Sequence, residues 1–375
     1  MQRIYLDYNA STPIDPAVAA AMRPFLEEHF GNPSSGHWAS TGAKEAVETA
    51  RSQVAALLGC QNDEILFTSG GSEANNLALK GAFFKLRENG GHILTTRIEH
   101  PSIIEPCRFL ERMGAQVTLL PVSRTGRINP DDLRAAITPR TILVSIMHAN
   151  NEVGTIQPIE ECAKIAHEHG ILFHTDAAQS VGKIPTAVEK LGVDLLSIAG
   201  HKIYAPKGIG ALFVRRGVSL EPLIHGAGHE GGRRAGTESA LLAVGLGRAC
   251  ELARDLSPMD RLRSLRDHFW TELQKRFGNR VVLNGHPTHR LPNTLNVSFV
   301  GRVGAEILAR LDGVAATTGS ACHSGHVELS PVLQAMGIET DVGMGAVRFS
   351  LGRATARDEI DSVLAKLTET LVPSE

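Results

Sequence analysis

Between residues 64 and 214 short apolar, β-branched runs recur at 65–67, 92–95, 117–120, 141–147, 171–174, 194–198 and 211–214. Most are separated by amphipathic stretches of helical period, at 73–86, 102–113 and 158–169. Continuous apolar runs alternating with helices predict an α/β domain built on a mainly parallel sheet of seven strands. Upstream, residues 1–14 read as extended, Asp15-Pro16 opens a helix as N-cap and first-turn proline, 31–36 is a loop, and a helix covers 43–58. Long helices follow over 238–277. The order then changes to strand-like 294–299, helical 305–311, strand-like 314–317, helical 330–336, strand-like 347–351 and helical 357–371. This predicts a large domain over 15–256 and a smaller α+β domain over 257–375, joined by the segment 1–14, with the boundary at Ser257-Pro258.

Polar residues crowd the carboxyl ends of the predicted strands. They are Thr68-Ser69-Gly70-Gly71-Ser72-Glu73, Glu99-His100, His148-Ala149-Asn150-Asn151-Glu152, Thr175-Asp176-Ala177-Ala178-Gln179 and Gly200-His201-Lys202. Ligands of parallel sheets collect at that rim. Five polar clusters on one rim exceed what solvation of loops requires.

Composition narrows the classes. At 42% hydrophobic residues the chain buries a sizeable core. A net charge of −2 and 5% aromatics give no reason to expect a nucleic-acid or membrane partner. The amino terminus lacks the apolar core of a signal peptide, and no run is long enough to span a bilayer, so the expected location is the cytoplasm. The five cysteines are odd in number and widely spaced, which argues against a disulfide framework and against a zinc site. No metal is expected at Cys322-His323-Ser324-Gly325-His326 either, since no second ligand cluster stands at suitable spacing.

The chemistry centres on Lys202. A lysine at the end of a buried strand either snorkels to water or is held partly neutral, when it can attack a carbonyl and form a Schiff base. Thr68–Ser72 opens a helix with small residues, either a plain cap or a cup for an anion. Asp176 is either an acceptor for backbone N–H groups or the counter-charge of a cation such as a protonated pyridine nitrogen. Gln179, one turn on, can donate to a nearby oxygen. His100 can stack on a planar ring or move a proton. Each alone fits a satisfied rim residue; together they match pyridoxal phosphate (PLP).

At this point the chain resembles the cysteine desulfurases, PLP enzymes of aminotransferase class V. The resemblance is carried by Tyr5-Leu6-Asp7-Tyr8-Asn9-Ala10-Ser11-Thr12-Pro13, Gly31-Asn32-Pro33-Ser34-Ser35, Phe67-Thr68-Ser69-Gly70, Glu99-His100, Ser145 to Glu152, His174 to Gln179, Gly200-His201-Lys202, Arg234-Ala235-Gly236-Thr237, Gly319-Ser320-Ala321-Cys322 and Arg348 to Arg353. It implies PLP fold type I, PLP on Lys202, Asp176 at the pyridine nitrogen and His100 stacked on the ring. It also implies a phosphate held by Gly71, Ser72, His201 and, across a homodimer interface, Thr237. Gln179 and Asn151 would add cofactor contacts, Asn151 and Arg348 would hold the substrate carboxylate, and Cys322 would receive sulfur from L-cysteine for an acceptor protein, such as an iron–sulfur scaffold or a tRNA-thiolation protein. Two positions depart from the pattern: Ala199 stands where many relatives have Ser, and His323 where many have a small residue. Selenocysteine lyase, an ordinary class-V aminotransferase and a non-enzymatic scaffold are the alternatives. Cys322 argues against the aminotransferase, and the intact Lys202, Asp176 and His100 against the scaffold.

Overall fold

The computed structural model describes residues 3–318 and 328–371. Cys322, His323 and His326 lie outside the described residues.

The strands in chain order are β1 (Ile4–Tyr5), β2 (Ile65–Thr68), β3 (His92–Thr96), β4 (Gln116–Leu120), β5 (Thr141–Ser145), β6 (Leu172–Asp176), β7 (Leu195–Ala199), β8 (Gly210–Val214), β9 (Val281–Asn284), β10 (Thr294–Phe299), β11 (Val314–Ala315) and β12 (Ala346–Ser350). β2 to β8 are the seven runs read from the sequence. They form one sheet in the order β2-β8-β7-β6-β5-β3-β4, in which β8 alone runs antiparallel to both neighbours. β5 to β8 are buried along nearly their whole length because helices cover both faces, which is why they read as continuous rather than alternating apolar runs.

Helix positions follow their caps. Asp15 accepts from the Ala17 N–H at 2.9 Å, and Pro16 supplies the first turn. The next long helix, Trp38–Leu58, begins five residues before the apolar period suggested. Ser40 Oγ donates to the Ser35 and His37 carbonyls and holds that first turn in place. Gly59, at φ 69°, ends the helix in the left-handed conformation. Helix Ala240–Ala253 lies close against Trp38–Leu58, where a Cβ on Gly247 would meet the Ala50 Cβ at 2.7 Å. Helix Pro130–Ala136 and edge strand β9 are additions to the sequence reading; both are too short for their period to register.

A separate apolar cluster joins Ile4 and Leu6 to helix Pro258–Phe277, the antiparallel sheet β12-β10-β9 and helix Arg357–Leu371. The amino-terminal segment ties this cluster to the large sheet. β1 pairs in parallel with β11, the Tyr8 N–H donates to the Ser350 carbonyl, and the Thr12 N–H donates to the His201 carbonyl at 2.9 Å. Residues 7–12 therefore run directly beside the Gly200-His201-Lys202 turn.

Candidate active site

A cavity of about 560 Å³ opens at the carboxyl ends of the parallel strands. Gly71, Ser72, His100, Asn151, Asp176, Gln179, His201, Lys202 and Arg348 all line it, although they come from positions up to 277 residues apart in the chain. Of the expected site residues that are described, only Thr237 is not among its lining. It lines a smaller neighbouring cavity of about 170 Å³, which shares Ser69, Gly208 and Ile209 with the large one. Two other rim residues turn away. Glu99 is fully buried beneath the rim, where it accepts from the Met147 N–H and Thr96 Oγ1. Burial pushes its carboxyl up to about 8. His148 is buried, its Nδ1 without a partner among the described residues, and lines a different groove.

Lys202 follows β7 in a single helical turn, and its Nζ donates to the carbonyls of Asn9 and Ala10 at 2.7 and 2.8 Å. Burial, then Arg348, lowers the amine against the opposing pull of Asp176 and Asp7, to about 8. The amine is therefore partly neutral near neutral pH, as a nucleophile and proton acceptor requires.

Asp176, at the end of β6, is held from both sides. Its Oδ1 accepts from the Ala178 N–H at 2.9 Å and its Oδ2 from Asn75 Nδ2 at 2.7 Å. The second hydrogen of the Asn75 amide goes to Ser102 Oγ at 2.8 Å. His100 caps helix Pro101–Arg112, its Nδ1 accepting from the Ser102 N–H at 3.1 Å and lying 2.7 Å from Ser102 Oγ. With Nδ1 as acceptor, the ring proton of neutral His100 sits on Nε2. Burial, and more weakly Lys202, favour that neutral form, while Asp176 opposes it. Asn75 and Ser102 had no site role in the sequence reading, and Asn9 entered it only as part of the Tyr5–Pro13 motif. The available signal for Asn75 was its place four residues after Gly71, on the same helical face.

Other groups at the cavity could donate to an anion. Helix Gly71–Leu86 starts at Gly70 with no side-chain cap, so its first N–H groups have no intrahelical partner. A Cβ on Gly71 would approach the Ala199 Cβ to 3.1 Å, tighter than an ordinary contact, so glycine eases the packing there. The His201 Nδ1 is buried without a partner among the described residues, and burial with Lys202, Lys207 and His100 lowers the ring to about 4. Arg234 makes two hydrogen bonds to Glu73, fastening the Arg234–Thr237 turn to the cavity's edge. Arg348 Nη2 donates to Asp7 Oδ1 at 2.7 Å and Nη1 to the Asn151 carbonyl at 2.8 Å, while its buried Nε has no partner among the described residues.

A planar anion with a cationic ring nitrogen and a carbonyl suits these groups. The aminotransferase class-V family model matches residues 4–363. The cysteine desulfurase IscS of Dictyoglomus turgidum is 49% identical over 379 residues, which cover 99% of this chain and 95% of the relative. The chain belongs to the cysteine desulfurase family of class-V aminotransferases. Methanosarcina thermophila IscS is 46% identical over 98% of the chain and 91% of the relative. Among solved structures, a NifS-like protein superposes with a TM-score of 0.93 at 37% identity, covering 99% of both chains. A structure described as SspA in complex with cysteine has a TM-score of 0.84 at 38% identity and covers 94% of this chain and 100% of that one. Cysteine desulfurases of class V are PLP-dependent transferases of fold type I, and the seven-stranded sheet described above is that fold.

Proposed function

We propose that this cysteine desulfurase binds PLP at Lys202, removes sulfur from L-cysteine and leaves L-alanine and a persulfide on Cys322. The observation that carries the reading is a partly neutral lysine opposite a clamped carboxylate and an uncapped helix amino terminus, in one cavity. The residues present fit the cofactor. Asp176 would face the ring nitrogen, His100 the ring, and Gly71, Ser72 and His201 the phosphate, whose oxygens would satisfy the orphaned His201 Nδ1. Gln179 and Asn151 would contact its remaining polar edge, and Thr237 would complete the phosphate shell from a second subunit. When bound, PLP supplies an electron sink that acidifies the substrate Cα–H.

The chain's own groups account for the remaining steps. Arg348, with its free Nε, and Asn151 hold the substrate carboxylate. The neutral Lys202 Nζ takes the Cα proton. His100, its proton on Nε2, serves proton transfer near the sulfur. The Cys322 thiolate attacks that sulfur; an S–S bond forms as the C–S bond breaks, the electron pair goes to carbon, and protonation there gives alanine. The persulfide then passes to an acceptor protein, of the kind that builds iron–sulfur clusters or thiolates tRNA.

The working unit is a homodimer with two domains per chain, 15–256 and 257–375 with 1–14. Leu26, Phe30 and Trp38 support it, being 69%, 84% and 86% exposed in the single chain, as side chains covered by a second copy would be. Among the described residues no helix is long and apolar enough to cross a membrane, in keeping with a cytoplasmic enzyme.

The test is Cys322→Ser under single-turnover conditions. The variant should still change the cofactor spectrum on adding L-cysteine, yet release no alanine. Alanine at the parent's rate would refute the assignment. Light scattering at the mass of one chain, with full activity, would refute the dimer.

A further inference from the structure

We propose that Lys183 is a positioning residue of this active site, a two-pronged donor that sets the amide of Gln179 and the Asn9 segment on which Lys202 rests. The proposal rests on the reading of the cavity as the cofactor site. Lys183 lies four residues after Gln179 in the turns that follow β6, and it is only 8% exposed. Its Nζ donates to Gln179 Oε1 at 3.0 Å and to Asn9 Oδ1 at 3.2 Å. Both partners are amide oxygens. The charged groups acting on it, Lys202 and Arg348, are cations, and with burial they lower the amine to about 7. A neutral amine carries two hydrogens, and two acceptors meet it, so it is fully satisfied there without a counter-ion.

The consequences reach the cavity by two routes. With its oxygen held by Lys183, the Gln179 amide must point Nε2 the other way, where it donates to the Asn9 carbonyl at 2.9 Å. A flipped amide would set oxygen against oxygen at Asn9 and N–H against N–H at Lys183. The Asn9 side chain is used to capacity: Oδ1 accepts from Lys183 and from Asn293 at 3.1 Å, while Nδ2 donates to Thr294 Oγ1 at 2.9 Å and the Asn151 carbonyl at 3.2 Å. Its backbone carbonyl is the same one that receives Lys202 Nζ. Lys183 thus closes a cage around the resting place of the reactive amine. Lys183 is not among the residues that line the large cavity. The only void it adjoins among the cavities described is one of about 20 Å³ between Tyr8, Thr12, Asn293 and Leu351, room for one water.

The experiment uses the PLP-loaded enzyme with Lys183→Met, Gln179→Leu and the double variant. Two quantities are followed, kcat/KM for L-cysteine and the pH midpoint of the bound cofactor's visible absorption band. Misplacement of a positioned group costs about 10- to 100-fold in rate. Lys183→Met is expected to lower kcat/KM by about that factor and to move the band midpoint in the same direction as Gln179→Leu. The double variant should fall clearly short of the product of the two single losses, because Lys183 and Gln179 share one contact, while the Lys183–Asn9 bond adds a part of its own. A parent-like band and parent-like kinetics in Lys183→Met, or losses that multiply in the double variant, would overturn the proposal. If Lys183→Met does not fold, Gln179→Glu decides. The carboxylate gains an ion pair with the Lys183 amine but sets its second oxygen against the Asn9 carbonyl, where Nε2 now donates at 2.9 Å, so Tm should fall by several degrees and activity with it; a Tm equal to the parent's would show that the direction of the Gln179 amide is immaterial and overturns the proposal. Tm is read on cofactor-free protein. A parent protein that takes up no PLP would sink the cofactor-site reading, and the Gln179→Glu melting result would still judge Lys183.

Discussion

Replacing Asn75 by alanine isolates the support behind Asp176. The Asn75 side chain is buried at 1% exposure and spends both amide hydrogens, one on the Asp176 carboxylate and one on Ser102 Oγ. A hydrogen bond to a charged group contributes about 1.5–3 kcal/mol and a neutral one about 0.5–1.5 kcal/mol. Alanine regains roughly 0.5 kcal/mol as the better helix former. Asn75 also borders the cavity, so water can partly replace the lost donors and the lower end of the range applies. The expected loss is about 1.5 kcal/mol in unfolding free energy, read from urea melts of the cofactor-free protein, with the m-value unchanged. The freed Oδ2 no longer holds Asp176 in one orientation, so the Kd for PLP, from titration of the absorbance, should rise about tenfold, equivalent to about 1.4 kcal/mol. His100 keeps its bond from the Ser102 N–H, so its ring stays in place. An Asn75→Ala protein within about 0.5 kcal/mol of the parent in both measurements would refute the reasoning, since that is the scatter of an unimportant surface change.

Further outcomes follow from other groups. Borohydride treatment of PLP-loaded protein should label the peptide containing Lys202, and Lys202→Ala should leave no lysine labelled; a label elsewhere in that variant contradicts the assignment. Lys202 falls from 10.5 to about 8 on folding, so the unfolded chain binds more protons between those values and stability rises with pH across that window. At about 1.4 kcal/mol per pH unit this is worth at most about 3 kcal/mol, and it should vanish from the slope of cofactor-free Lys202→Met. The parent-minus-variant difference is needed because the buried thiols Cys107, Cys162 and Cys250, each raised to about 12, act in the opposite direction at high pH. Arg51 makes a two-bond ion pair with Glu230, with side chains 8% and 2% exposed, and Glu230 also accepts from the Phe67 N–H. Arg51→Met strands that carboxylate and should cost about 3–5 kcal/mol in a urea melt; a loss under 1 kcal/mol would show that Glu230 reaches water.

Local pattern was enough to read the seven strands of the large sheet, the Asp15 cap and the polar clusters at the strand ends. Each depends on residues within a few positions of one another: burial on both faces makes a run continuously apolar, and a cap acts over one turn. Lys202, Asp176 and His100 were legible for the same reason, since each sits where a strand ends. The chain's tertiary course decided the rest. The reversed direction of β8 and the edge strand β9 depend on which strands become neighbours, and four or five apolar residues do not specify that. The groups that tune the site lie far apart in sequence. Asn75 and Asp176 are separated by 101 residues, Asn9 and Gln179 by 170, and Asp7 and Arg348 by 341. Glu99 and His148 had the same rim signature as His100, yet packing turned one beneath the rim and the other toward another groove. Lys183 went unremarked in the sequence, and the fold alone places two amide oxygens around its nitrogen. A hydrogen bond is satisfied by whatever atom lies within about 3 Å, and periodicity along a chain carries no record of partners brought from a hundred residues away.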